Sequence, residues 1–337
     1  MRVASGTRPR VYVTRALPEE ALAPLVPVAD LGMWASAEVP VPREVLGREV
    51  GTADGLLVML TERVDTALLA AAPRLRVVSS MSVGYDHVDL AACTRRGIAV
   101  CHTPDVLTET TADLTFGLLL ACARRLYAGQ RAVVEGRWAA WAPFYMAGQD
   151  VHGRTLGIVG LGRIGQAVAR RARGFDMRVL YSGRRERPEA VALGAERVPL
   201  PVLAAESDFI VLLAALTPET RHLVDATFLA RCRRTAVLIN AGRGPLVDTA
   251  ALTEALRAGQ IWGAGLDVYE EEPLPADHPL LALPNVVALP HMGSASLATR
   301  MAMARLAGEN LADVLLGRKP RACVNPEVLS AGGERVP

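Results

Sequence analysis

Three short stretches place chemically useful side chains directly after apolar runs: "INAGRG" carries Arg243, "GLDVYEEEP" carries Glu270, Glu271 and Glu272, and "LPHMGS" carries His291. In doubly wound α/β sheets ligands bind beyond the carboxyl ends of the strands, so residues at successive strand ends can converge although they lie far apart in the chain. An arginine, a carboxylate and a histidine gathered beside a nicotinamide suit hydride transfer to the ketone of a 2-oxo acid. The arginine would clamp the substrate carboxylate and polarise the carbonyl, while the histidine would protonate the forming alkoxide. A carboxylate against the imidazole would orient it and favour its charged form. Taken singly, each has an ordinary alternative: a surface charge, a solvated acidic turn, a satisfied polar residue.

That chemistry needs a dinucleotide, and "GLGRIG" offers it a seat with Gly160, Gly162 and Gly165. The first glycine of such a spacing allows the tight turn, the second lets backbone approach a pyrophosphate, and the third lets helix pack on strand. The next apolar run ends in "LYSGRRER", where Ser182 and Gly183 precede Arg184 and Arg185 and positions 181–185 hold no acid. An acid at this tip would bind the 2′-hydroxyl of NAD, whereas arginine accommodates the 2′-phosphate of NADP. NADPH is the expected coenzyme, with NADH possible; the competing reading is a solvated basic turn.

The elements that must position these residues are legible as alternating apolar runs and helical patterns. Strands are expected at 10–15, 55–60, 76–82 and 98–103, with helices in "VDTALLAAA" and "VDLAACTRRG", the latter stopped by Gly97. One long helix is expected over 108–136, followed by an aromatic loop, 137–150, containing Trp138, Trp141, Phe144 and Tyr145. That loop reads equally as core packing or as a subunit interface. A second alternation follows, with strands in "LGIVG", "RVLYSG", "DFIVLLA", "AVLINA", "AGLDV" and "NVVALP" and a helix in "DTAALTEALRAGQI". The fold class is therefore α/β, two doubly wound parallel-sheet domains in series. The last helical pattern, 294–317, comes after every strand and is expected to return to the first domain, making that domain discontinuous.

Composition agrees with this reading. At 337 residues, 51% hydrophobic and 21% charged, the chain has room for two cores. Lys plus Arg total 37 against 35 for Asp plus Glu, without a basic run interleaved with aromatics, so nucleic acid is not the expected partner. Apolar stretches such as 114–123 and 209–216 are too short to cross a bilayer, and the N-terminus lacks a signal-peptide apolar region. A cytoplasmic protein without membrane association is expected. Five widely spaced cysteines form no Cys-x-x-Cys pair, which argues for structural thiols and against a metal site.

Long blocks, among them "SMSVGYDHVDL", "TPDVLTETTADL", "VGLGRIGQAVARR", "TAVLINAGRGPLVD", "GAGLDVYEEEPLPADHPLLALPNV" and "LPHMGSA", resemble the D-isomer-specific 2-hydroxyacid dehydrogenase family, most closely its glyoxylate/hydroxypyruvate reductase branch. The resemblance implies a flavodoxin-like substrate domain of 1–103 plus 292–337. It implies a Rossmann domain of 104–291 that carries a dimerisation loop, in a homodimer. It selects Glu272, before Pro273, to join Arg243 and His291 in the catalytic trio, leaving Glu270 and Glu271 on the solvent side. It implies substrate contacts from Val83, Gly84, Ser294 and, through the neighbouring subunit, Trp141. It implies cofactor contacts from Arg163, Ile164, Ala241, Asp267 and Gly293 beside the glycines and the Ser182 to Arg185 tip. The implied activity is NADPH-preferring reduction of glyoxylate and hydroxypyruvate to glycolate and D-glycerate. Two rivals stand beside it: a broader or NADH-using D-2-hydroxyacid dehydrogenase, and a dinucleotide-sensing corepressor-like protein, for which the short ending "AGGERVP" offers no recruitment tail.

Overall fold

The computed structural model describes residues 8–330. The N-terminal stretch read against a signal peptide lies partly, and the ending "AGGERVP" wholly, outside those residues. The chain divides into two compact units, 8–107 with 296–330 and 108–295. The chain changes unit where the helices Thr108–Ala123 and Leu297–Leu315 begin, at Leu107 and Ser296, in place of the expected 103/104 and 291/292.

The first unit is a five-stranded parallel sheet of β1 (Arg10–Val13), β2 (Asp30–Met33), β3 (Gly55–Val58), β4 (Val77–Ser80) and β5 (Ala99–Cys101). Its order, β2-β1-β3-β4-β5, is the flavodoxin-like winding. Every residue of β3, β4 and β5 is buried, as parallel strands covered on both faces require. One face packs Leu56, Val58, Val78 and Val100 against Leu46, Val50, Leu68 and Leu69. Helix Leu297–Leu315 packs in this unit, with Leu306, Ala307 and Leu311 buried, and the Ser79 hydroxyl donates to the Ala307 carbonyl at 2.9 Å. Edge strand β2 was not foreseen: "DLGM" has no apolar run, and none of its residues is fully buried.

The second unit is a seven-stranded parallel sheet: β6 (Thr155–Val159), β7 (Arg178–Ser182), β8 (Ala195–Arg197), β9 (Phe209–Leu212), β10 (Val237–Asn240), β11 (Gly263–Leu266) and β12 (Val286–Ala288). The order β12-β11-β10-β9-β6-β7-β8 is the Rossmann winding with one extra parallel strand, and the direction of winding reverses between β6 and β9. Period-two alternation divides β9 between two cores. Phe209 and Val211 join Phe116, Leu119, Ile158 and Ile239, whereas Ile210 and Leu212 join Leu203, Leu238, Leu252 and Leu266.

The single helix expected over 108–136 is two, Thr108–Ala123 and Leu126–Val134. Arg125 takes a left-handed conformation, φ 53°, and the Ala123 carbonyl accepts from the Gln149 amide at 2.8 Å, which ends the first helix from outside. Core packing of the aromatic loop is ruled out: Trp138, Trp141, Phe144 and Tyr145 are 55%, 79%, 87% and 42% exposed. Among the described residues no helix is long and apolar enough to cross a membrane.

Candidate active site

The dinucleotide turn follows β6 directly. Gly160 has φ +98°, and a Cβ there would lie 2.7 Å from the Ala214 amide nitrogen, so both its backbone conformation and its surroundings demand glycine. A Cβ at Gly165 would meet the Gly160 carbonyl oxygen at 2.4 Å, whereas the space beside Gly162 is open to 4 Å. That open side lies where helix Arg163–Ala172 begins, and no side chain caps this N-terminus. Backbone N–H groups and the positive end of the helix dipole suit a pyrophosphate, so the residues fit the dinucleotide that the spacing implies. Ile164 packs its side chain against the core of this unit.

At the tip of β7 the Ser182 carbonyl accepts from the Gly160 amide at 2.9 Å, which ties the coenzyme turn to the next strand. Gly183, Arg184 and Arg185 follow, all exposed. The Arg197 guanidinium donates to the carbonyls of Gly183 at 3.0 Å and Arg184 at 3.4 Å, bracing the tip from below. Sequence reasoning missed Arg197 because β8 is a short, half-exposed edge strand, "AER", without an apolar signature. It also missed Glu219, whose carboxyl is held below its ordinary value, chiefly by a hydrogen bond with Thr217 and in part by the charge of Arg184.

The trio occupies the exits of the last three strands, with Arg243 after β10, Glu272 after β11 and His291 after β12. The Asn240 side chain shapes the first exit, its Oδ1 accepting from the Gly242 amide at 3.1 Å and its Nδ2 donating to the Arg243 carbonyl at 2.9 Å. The Tyr269 hydroxyl approaches the Leu266 carbonyl at 3.1 Å and the Leu289 carbonyl at 2.9 Å, binding the other two exits together. Glu272 accepts from the Tyr269 amide through Oε1 at 2.9 Å and meets His291 Nδ1 through Oε2 at 2.7 Å. Because a carboxylate only accepts, this contact puts a proton on Nδ1 and leaves Nε2 outside it. Burial pushes the Glu272 carboxyl up, but the His291 hydrogen bond and charge, the Tyr269 amide and the Arg243 charge outweigh it, leaving the carboxyl below its ordinary value.

His291 sits at φ 51°, a left-handed conformation that a non-glycine residue holds only when its surroundings impose it. The constraint is Asp267, 1% exposed, whose two oxygens accept the amides of Met292 and Gly293, each at 2.8 Å. Burial raises the Asp267 carboxyl, against the lowering effect of those amides and of His291. Glu270 is on the solvent side as expected, but it is not idle. It bonds His222 Nε2 at 2.6 Å and the Thr249 amide at 3.0 Å, anchoring the start of helix Thr249–Arg257, while Glu271 is exposed.

The Glu272–His291 contact and the Asp267 contacts to Met292 and Gly293 meet on the 291–293 backbone, and the Glu272 carboxyl feels the Arg243 charge. Ala241 lies between Asn240 and the Arg243 turn, and Ser294 is half-buried two residues beyond the constrained Met292. Val83 and Gly84 follow β4 in the first unit; their carbonyls are taken by His102 Nδ1 at 2.9 Å and the Ser82 hydroxyl at 2.5 Å. Trp141 is on the aromatic loop and is 79% exposed.

Known proteins share the sequence and the fold of this chain. The model of the D-isomer specific 2-hydroxyacid dehydrogenase NAD binding domain matches residues 116–293, most of the second unit. A glyoxylate reductase of Korarchaeum cryptofilum is 50% identical over 96% of this chain and 97% of its own. A crystal structure of a Thermus thermophilus protein superposes with a TM-score of 0.87 at 48% identity, covering 94% of this chain and 99% of that one. An NADPH-dependent glyoxylate/hydroxypyruvate reductase of Sinorhizobium meliloti, in complex with NADP and malonate, superposes with a TM-score of 0.82 at 36% identity, covering 94% and 97%. With its coenzyme turn, its two parallel sheets and nearly its whole length shared with such enzymes, the chain belongs to the D-isomer specific 2-hydroxyacid dehydrogenase family and is an NAD(P)-dependent dehydrogenase of that kind.

Proposed function

We propose that the protein is an NADPH-preferring reductase of glyoxylate and hydroxypyruvate, forming glycolate and D-glycerate. The observation that carries the reading is the 2.7 Å contact between Glu272 and His291 at the strand exits, with Arg243 beside it, in a unit that opens on a dinucleotide turn. A reduced nicotinamide, when bound there, supplies the hydride. Backbone amides at Gly162 to Gly165 hold the pyrophosphate, and Ala241 and Gly293 bound the nicotinamide end. Asp267 acts mainly by fixing the Met292–Gly293 backbone, since both its oxygens are already engaged.

Arg243 pairs with the substrate carboxylate and polarises the ketone, with Ser294 beside the pocket. His291, protonated on Nδ1 by its contact with Glu272, gives its Nε2 proton to the alkoxide oxygen as charge develops there. Glu272 keeps the ring in place through proton loss and regain. Arg184 and Arg185, with Ser182, take the 2′-phosphate. The protein acts in the cytoplasm as a homodimer in which Trp141 reaches the partner's pocket; the exposed aromatic loop supports the dimer, because isolated surfaces rarely display so many large apolar side chains together.

Initial rates of NADPH and NADH oxidation against glyoxylate, hydroxypyruvate, pyruvate and a bulkier 2-oxo acid test the whole reading. Fastest turnover is expected with NADPH and either of the first two. No turnover with any 2-oxo acid would instead favour a dinucleotide-sensing role.

A further inference from the structure

Beyond helix Leu297–Leu315 the chain returns to the open edge of the first sheet, antiparallel to β5. The His102 amide donates to the Ala322 carbonyl at 3.3 Å and the Val324 amide to the Val100 carbonyl at 2.8 Å. These two bonds flank Cys101 and Cys323, which face each other as an antiparallel bridge. They are thus a non-hydrogen-bonded pair, the register in which Cα atoms lie about 4.5 Å apart and side chains are closest. That spacing falls inside the ~4.4–6.8 Å that a disulfide spans. Asn325 pins the tail in this register, accepting from the Val100 amide at 2.8 Å and donating to the Ile98 carbonyl at 2.9 Å and the Thr94 hydroxyl at 3.0 Å.

The two sulfurs already share a hydrogen bond, which pushes the Cys101 thiol up, assisted by burial, and draws the Cys323 thiol down against the opposing effect of its own burial. Cys101 is buried and Cys323 is partly exposed. The remaining cysteines contrast with this pair: burial raises Cys93, Cys122 and Cys232 each to about 12. Reactivity follows the thiolate and its access, so Cys323 is the one thiol of the five that combines both.

We propose that Cys101 and Cys323 are a dithiol modification site, closed by hydrogen peroxide to a disulfide that staples the C-terminal tail to β5. The Cys323 sulfur attacks one peroxide oxygen, the O–O bond breaks, the Cys323 thiol proton passes to the departing hydroxide, and one water leaves as Cys323 becomes a sulfenic acid. The Cys101 sulfur then attacks the Cys323 sulfur, its proton passes to the departing hydroxyl, and a second water leaves as the S–S bond forms. Two thiols lose two electrons in total and the peroxide gains them. Both cysteines belong to one unit and already face each other, so closure needs no rearrangement of the fold.

The test uses the full chain at pH 7 with a small excess of hydrogen peroxide, then denaturation, thiol counting and peptide mass spectrometry. The expected result is a fall from five free thiols to three, a Cys101–Cys323 linked peptide, and reversal by dithiothreitol. In a Cys101→Ser variant the sulfenic acid on Cys323 should persist and be trapped by a dimedone-type probe at least about tenfold faster than any product on Cys232. In Cys323→Ser, Cys101 should stay reduced. Five surviving thiols, a link involving another cysteine, or Cys323 reacting no faster than Cys232 in folded Cys101→Ser would each overturn the proposal.

Discussion

The proposed NADPH preference assigns coenzyme choice to the exposed guanidinium groups of Arg184 and Arg185, and neutralising both in an Arg184→Ala/Arg185→Ala variant gives the most informative test. An exposed charge-assisted contact to a phosphate is worth about 1–2 kcal/mol, below the buried range because water screens it. Two such contacts amount to roughly 2–4 kcal/mol, or about 30- to 1,000-fold in the Michaelis constant for NADPH. The Michaelis constant for NADH should change by less than about threefold, since a 2′-hydroxyl offers no charge to lose. Screening adds a second readout: raising salt from about 0.05 to about 0.5 M should weaken NADPH in the wild type far more than in the variant. Glu219, which feels the Arg184 charge, is a like-charged neighbour of an incoming phosphate, so Glu219→Gln should lower the NADPH constant modestly. Arg197→Ala, which unbraces the Gly183 and Arg184 carbonyls, should raise it less than the double variant does. Initial-rate kinetics with both coenzymes decide the matter. Equal losses for NADPH and NADH in the double variant would refute the reasoning.

Three further expectations follow from the second unit. His291→Ala should lower turnover by roughly 10²–10⁴ with coenzyme affinity retained, and near-normal turnover would remove it as proton donor. Glu272 has a carboxyl lowered from its ordinary 4.5, so the stability it contributes is present above that value and is lost as pH falls through the lower folded value. The melting-temperature gap between wild type and Glu272→Gln should therefore close on acidification below 4.5, and a gap that widens there would contradict the ion-pair reading. Replacing Trp141 and Phe144 by Ser should shift sedimentation toward the monomer, with melting of the isolated chain little changed, because these side chains are 79% and 87% exposed. A stable dimer in that variant would exclude the loop as the interface.

What was legible in the sequence follows from burial. β3, β6, β9, β10 and β11 announce themselves as apolar runs because a parallel strand covered on both faces has no solvated side to mark. The glycine spacing at 160, 162 and 165 was equally plain, since it reports steric limits of the turn itself. Edge strands β2 and β8 escaped notice because they are short and partly wet, and Arg197 escaped with them. The break at Arg125 was hidden because the Gln149 amide that takes the Ala123 carbonyl comes from beyond the aromatic loop.

The site divides in the same way. Residue types and their position after apolar runs suffice to nominate Arg243, a glutamate of the 270–272 run and His291, because chain direction alone puts them at strand exits. Which glutamate meets the imidazole, and that Glu270 instead anchors Thr249 and His222, depends on how the β11 and β12 exits fold back on each other. Asp267 as the support of a strained His291, and Cys101 opposite Cys323, likewise exist only in the folded chain. Each joins groups distant in sequence, and a contact of that kind is set by packing and register, which local spacing does not encode.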